Sequence, residues 1–315
     1  MLFSNRRQSL GFQKSSEVAI ARTLTPSQHW VAWIPLLALP AIVLPLKPSL
    51  PPWAFMWLLA AAIFIGRKWQ TWWDARLEMK GTSGALSAGY LLAWPGMDAE
   101  AFFDSHRKAV APEGPAWLWA IGKTLLGAAL FWGAARIAVQ ASPLVAGWVG
   151  MIGLIFLLHF GSFHVLALLW QSAGVDAQPI MQSPHRAESL SEFWGARWNL
   201  GFRRLTHDLV FAPLRKRVGM TSAMFGAFLV SGLIHDLVIS LPAGAGYGLP
   251  TSYFLVQGLG VMAERSRIGK RLGLGRGMPD RLFLAAISTF PVPMLFHRPF
   301  VENVILPFMR AAGAL

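Results

Sequence analysis

The sequence predicts an all-α, polytopic integral membrane protein, on three observations. Of 315 residues, 54% are apolar and only 14% charged, against about 25% charged in soluble domains. Several long stretches are almost free of charge, and a bilayer core of about 30 Å is crossed by about 20 helical residues. A net charge of +13 sits on this greasy chain, which is what membrane proteins produce when Lys and Arg collect in their cytoplasmic loops. About seven to eight transmembrane helices are expected, with an amphipathic cytoplasmic helix around residues 190–205.

The elements follow in order. Trp30 to Leu46 and Trp53 to Gly66 form two short spans, turned by Lys47, Pro48, Pro51 and Pro52, with Pro35 and Pro40 set to kink the first. Trp69, Trp72 and Trp73 beside Arg67 and Lys68 read as an interfacial aromatic belt. Trp117 to Val139 and Leu144 to Trp170 are the next pair. Between Arg217 and Glu264 the only formal charge is Asp236, and Pro242, Gly244, Gly246, Gly248 and Pro250 mark a turn, giving two more spans. Leu282 to Phe296 is a further span, and Val301 to Met309 a short or re-entrant eighth.

Segments 1–29, 67–116, 171–217 and 264–281 hold most of the 28 Lys and Arg. The positive-inside rule therefore puts them, and the N-terminus, in the cytoplasm. The first apolar run begins too late for a signal peptide and reads as a retained anchor. With no repeat or composition break, residues 1–315 read as a single membrane domain. It has a cytoplasmic N-terminal segment at 1–29 and a chemistry-bearing region at 188–241, and the expected location is a bacterial inner membrane. The lipid bilayer is the first partner implied; nucleic acid is not.

Without a cysteine, thiolate metal sites, iron–sulfur clusters and a cysteine nucleophile are excluded. The eight histidines are scattered, with no HExxH pair, so no metal site is expected. The glycines at 269, 273, 275 and 277 form no phosphate loop, because no Lys-Ser/Thr follows them.

Ionisable residues inside spans are costly, which makes them functional candidates. Ser231 and His235 are i, i+4 and share a helix face, with Gly232 admitting a close neighbour. An imidazole in hydrocarbon favours its neutral, proton-accepting form, which suits a general base. Asp236 points about 100° away from His235 and needs another partner. His159 and His164, about 140° apart on a straight helix, read as helix-bridging groups, and Lys123 as a snorkelling side chain. In the cytoplasmic stretch, Ser189 and Glu192 form a capping box. Trp194 and Trp198 are i, i+4 beyond it, Asn199 and Arg203 share another face, and Arg197, Arg203 and Arg204 suit phosphates.

Phe193-Trp-Gly-Ala-Arg-Trp-Asn199 and Ser231-Gly-Leu-Ile-His235 together resemble motifs of the membrane-bound O-acyltransferase superfamily, in its wax synthase-like branch. Tyr90-Leu-Leu-Ala-Trp-Pro-Gly-Met-Asp98, Pro179-Ile-Met181 and the tail Leu295-Phe-His-Arg-Pro-Phe300 resemble that branch too. The resemblance runs from about residue 85 to the end. It implies acyl transfer from acyl-CoA, as co-substrate with no other cofactor, to a lipophilic alcohol. His235 would be the catalytic base, and Asn199 would position or stabilise the reactants. Trp194, Trp198, Arg197, Arg203, Arg204, Ser231 and Asp236 would serve substrate binding, although the branch usually has Glu where Asp236 stands. The rival reading is a transporter whose His235 and Asp236 relay protons.

Overall fold

A computed structural model describes residues 26–76, 83–107, 109–275 and 277–315. Most of the expected N-terminal segment, residues 1–25, lies outside the described residues. Every regular element among the described residues is helical. We label α1 Pro26–Val43, α2 Pro52–Ala75, α3 Gly84–Ala93, α4 Gly114–Ala138, α5 Pro143–Ser172, α6 residues 190–197, α7 Leu200–Ala243, α8 Leu249–Arg265, α9 Gly277–Thr289 and α10 residues 298–311.

Among the described residues, four stretches are long and apolar enough to cross a membrane: Trp30–Ser49, Gly114–Ala138, Pro143–Ser172 and Leu200–Ala243. Their outward faces carry exposed Trp30, Leu37, Leu125, Ile137, Val145 and Leu233, while Arg67, Lys68, Gln257 and Glu264 are buried. Such a distribution is stable when hydrocarbon replaces water, because lipid solvates the apolar faces and polar groups must find partners inside. The chain is an integral membrane protein.

Prolines 35 and 40 lie within α1, in the first span as expected. Several local expectations change. Helix α2 continues past Gly66 and carries Arg67 and Lys68 inward, at 3% and 1% exposure. Arg67 is ion-paired with Asp208 at 2.6 Å, and Lys68 donates to the Gly96 carbonyl and lies over the Tyr90 ring. These two cations are therefore internal struts beside the clustered indoles of Trp69, Trp72 and Trp73. The Lys123 ammonium does not snorkel; it meets His164 Nδ1 at 2.9 Å across α4 and α5. The run after Leu282 is interrupted at Phe290 and Pro291. Within residues 301–309, Val301, Val304, Ile305, Leu306 and Met309 are buried in the largest core cluster, while Glu302 and Asn303 are exposed.

Helix α7 has a break at Gly219, whose φ of 80° and ψ of 173° lie outside the helical region and favour glycine there. Beyond it the helix runs straight to His235, packed on α8. Gly232 makes that contact possible: a Cβ there would stand 2.5 Å from Thr251 Cα. Gly232→Leu is expected to cost about 1–3 kcal/mol by overpacking, read as a lower Tm in detergent. Gly122→Leu, at a position with nothing within 4 Å, should leave Tm unchanged.

Candidate active site

The first wall of the site is the turn at residues 180–200. Ser189 Oγ accepts from Glu192 N at 3.0 Å, as the capping pattern predicts, but the Glu192 carboxylate reaches Glu188 N at 2.8 Å. That backbone N–H, with Arg197, holds the Glu192 carboxyl below its usual range. The buried carboxylate of Glu264, from α8, accepts from Leu190 N at 2.6 Å and Ser191 N at 3.2 Å, satisfying donors that a helix start leaves open.

One helix across 190–205 does not form. A π-turn over Phe193–Arg197 ends in extended Trp198, and Asn199 is left-handed, with φ 38° and ψ 66°. Asparagine tolerates that conformation because its side chain bonds locally. Here Asn199 Oδ1 accepts from Phe202 N at 3.2 Å and starts α7. The segment Ile180–Gln182 braces the turn: Asn199 N meets Met181 Sδ at 3.2 Å, Leu200 N donates to Ile180 O at 2.9 Å and Gln182 N to Arg197 O at 2.8 Å. Trp194 and Trp198 consequently leave their shared face. Trp194 donates to buried Gln257 at 3.2 Å and packs on Phe228 and Phe254, while Trp198 stacks on Phe193 at 5.3 Å.

The second wall is α7. His235 ends its regular part, just before a π-turn over Asp236–Ser240, a distortion often found at functional sites. His235 Nδ1 lies 2.7 Å from the Ser231 carbonyl. A carbonyl only accepts, so Nδ1 carries the hydrogen and Nε2 is the bare nitrogen of the neutral ring. Phe254 and Phe202 clamp the ring, with centroids at 4.4 and 5.1 Å. Ser231 contributes that carbonyl, since its own hydroxyl donates to Ala227 O at 2.8 Å.

Asp236 is turned away. It accepts from Gly248 N at 2.8 Å, from Thr251 N at 3.0 Å and from the Thr251 hydroxyl, and Ser240 Oγ donates to it at 2.8 Å. Ser240 Oγ also stands 3.2 Å from His297 Nε2. This carboxylate caps α8 and borders neither of the cavities described next.

Two cavities meet at the two walls. One, of about 340 Å³, is lined by Trp194, Trp198, Arg203, His207, Ser231 and Arg265 among others. The second, of about 450 Å³, is largely apolar, with Ile63, Phe64, Leu91, Leu92, Leu166 and Val238 in its wall and His159 among them. Asn199, Phe202 and His235 line both. Of the residues expected from sequence, Arg197 and Arg204 stay outside both. Arg197 is held by Glu192 at 2.6 Å, and Arg204 by Asp98 and by Glu100 at 3.3 Å. Sequence reasoning missed Phe202, Phe254, Gln257 and Arg265; only Arg265, in a basic segment, carried any signal. Among the described residues no three His, Asp or Glu gather to hold a metal ion.

Residues 177–256, which include Asn199 and His235, match the model of the "Membrane bound O-acyl transferase family". The chain is 34% identical over 128 residues to probable long-chain-alcohol O-fatty-acyltransferase 3 of Arabidopsis thaliana, covering 34% of this chain and 37% of that protein. It is 39% identical over 151 residues to probable long-chain-alcohol O-fatty-acyltransferase 8 of the same plant, covering 45% of each. With the long-chain-alcohol O-fatty-acyltransferase of Simmondsia chinensis it shares 32% over 101 residues, 28% of this chain and 29% of that one. No solved structure matches. These matches bear out the resemblance to the wax synthase-like branch, although each aligned stretch spans less than half of the relative's length. All three relatives are plant proteins and lend no support to a bacterial inner membrane.

Because Asp236 accepts from four donors, Asp236→Ala takes away the acceptor of the Gly248 and Thr251 N–H groups at the start of α8, at about 0.5–2 kcal/mol for the lost cap. The variant is expected to have a clearly lower Tm in detergent. An unchanged Tm would show that the cap contributes nothing.

Proposed function

We propose that this chain is a membrane-bound O-acyltransferase that moves an acyl group from acyl-CoA to the hydroxyl of a lipophilic alcohol, in the manner of a long-chain-alcohol O-fatty-acyltransferase. The observation that carries this reading is the shared wall: one bare imidazole nitrogen and one amide border both a cavity with cationic residues and a cavity of hydrocarbon character. Two substrates of unlike polarity can meet there.

In the reaction, His235 Nε2 takes the proton of the alcohol as its oxygen attacks the thioester carbonyl. The Nδ1–H bond to Ser231 holds the ring in the tautomer that accepts it. With Asn199 Oδ1 engaged by Phe202 N, the amide nitrogen is the group left to donate to the developing oxyanion or to position a reactant. The carbon–sulfur bond then breaks, the ester leaves, and the imidazolium returns its proton to the coenzyme A thiolate. No acyl-enzyme is needed. Arg203 and Arg265, which make no ion pair among the described residues, suit the phosphates of the carrier at the first cavity. Arg197 and Arg204 serve that wall through their ion pairs, and Trp194 and Trp198 through packing. Asp236 acts by capping.

This reading includes one membrane domain with seven to eight spans, an interfacial helix at α6, and a cytoplasmic N-terminus set by the basic loops. The proton-relay transporter is not favoured, because the Asp236 carboxylate is spent on Gly248, Thr251 and Ser240.

Membranes containing the chain, given labelled acyl-CoA and a panel of alcohols, should form labelled ester. His235→Ala is expected to lower kcat by about 10²–10⁴-fold and Asn199→Ala by about 10²–10³-fold, with folded protein retained. Undiminished turnover in His235→Ala would reject the base assignment, and absence of ester with every alcohol would reject the activity.

A further inference from the structure

His159 is a polar group that the chemistry above does not use. It sits on the π-turn Ile155–Ser162 of α5 and lines the same apolar cavity as His235. Its neighbour His164 is satisfied by Lys123. His159 is not: among the described residues its buried Nδ1 has no hydrogen-bond partner, and the ring meets Phe163 edge-on at 5.5 Å. A buried polar atom without a partner is costly, and native proteins rarely retain one without a reason. Inside a membrane the expectation is stronger still.

The cavity offers an occupant. Its lining is otherwise almost wholly hydrocarbon, and Leu92 of α3, in its wall, is 87% exposed. Such a wall suits the hydrocarbon chain of a lipophilic substrate. Its reacting hydroxyl must reach His235 and Asn199, on the other helices, whereas His159 belongs to α5.

We propose that His159 is a specificity-determining residue that hydrogen-bonds a second oxygen on the lipophilic alcohol, so that the preferred acceptor is an oxygenated lipid and not a plain alkanol. The proposal rests on the acyltransferase reading for its consequence in turnover, but not for binding. A site built around a hydrogen bond rejects the analogue that lacks the partner, because its own polar group is then stranded.

The test compares 1-hexadecanol with a series of hexadecanediols whose second hydroxyl moves along the chain, in the full-length protein and its His159→Phe and His159→Gln variants. At least one diol should exceed hexadecanol in kcat/KM by about tenfold, the worth of roughly one hydrogen bond. His159→Phe should abolish that preference, bringing the diol-to-hexadecanol ratio of kcat/KM to about one, and His159→Gln should restore part of it. Thermal stabilisation of the detergent-solubilised protein by the same alcohols reads binding without turnover, so a protein that acylates nothing would sink the activity and still test His159. A wild-type protein that favours no diol in either readout, a preference that survives His159→Phe, or an equal loss for hexadecanol and diol would each overturn the proposal.

Discussion

One hydrogen bond, from His235 Nδ1 to the carbonyl one helical turn earlier, orders the rest of the site. The bond consumes the ring's donor on a helix that can spare the acceptor, and leaves a lone pair on the opposite edge of the ring. Phe202 and Phe254 then fix the ring plane. Every other feature of the region can be understood as keeping that edge in place: Gly232 lets α8 approach, Asp236 caps α8, and Gln257 on α8 anchors the indole that packs on Phe254.

The opposing wall is organised by a different constraint. Asn199 occupies a left-handed backbone conformation and uses its own oxygen to start α7. The turn is braced by Ile180 and Met181 from a separate stretch of chain and by Glu264 from α8. Position is thus set by backbone hydrogen bonds, which have few alternatives in a low-dielectric interior. Farther out, Arg67 with Asp208 and Arg204 with Asp98 tie α2 and the 99–103 turn to the same helix. These pairs hold the frame without entering either cavity.

Much of this was legible in the sequence, for identifiable reasons. Charge-free runs gave away the spans α1, α4, α5 and α7, because only hydrocarbon solvates such stretches. The Ser231–His235 spacing correctly put both residues on one helix face and Gly232 at a close contact. What could not be read were partners far away in the chain. Arg67 and Lys68 resemble interfacial anchors until Asp208 and Gly96 are brought beside them. Asp236 shows in the sequence only that it needs a partner other than His235; the turn at 244–248 supplies it by folding the N–H groups of Gly248 and Thr251 onto the carboxylate. The break at Trp198 and Asn199 was hidden because local propensity favours a continuing helix, and contacts with Ile180 and Met181 decide otherwise. His159 and His164 look alike in sequence, yet only one meets a lysine.

The central claim is that the two cavities are joined at one imidazole edge where the substrates react. The most direct measurement is a structure of the full chain bound to a coenzyme A thioether ketone, in which the carbonyl is kept and hydrolysis is blocked. The reacting carbonyl should lie within reach of an alcohol oxygen hydrogen-bonded to His235 Nε2, with reacting atoms about 3–3.5 Å apart. The coenzyme should occupy the cavity of Arg203 and Arg265. A carbonyl bound away from His235 and Asn199, or a ligand that enters neither cavity, would contradict it.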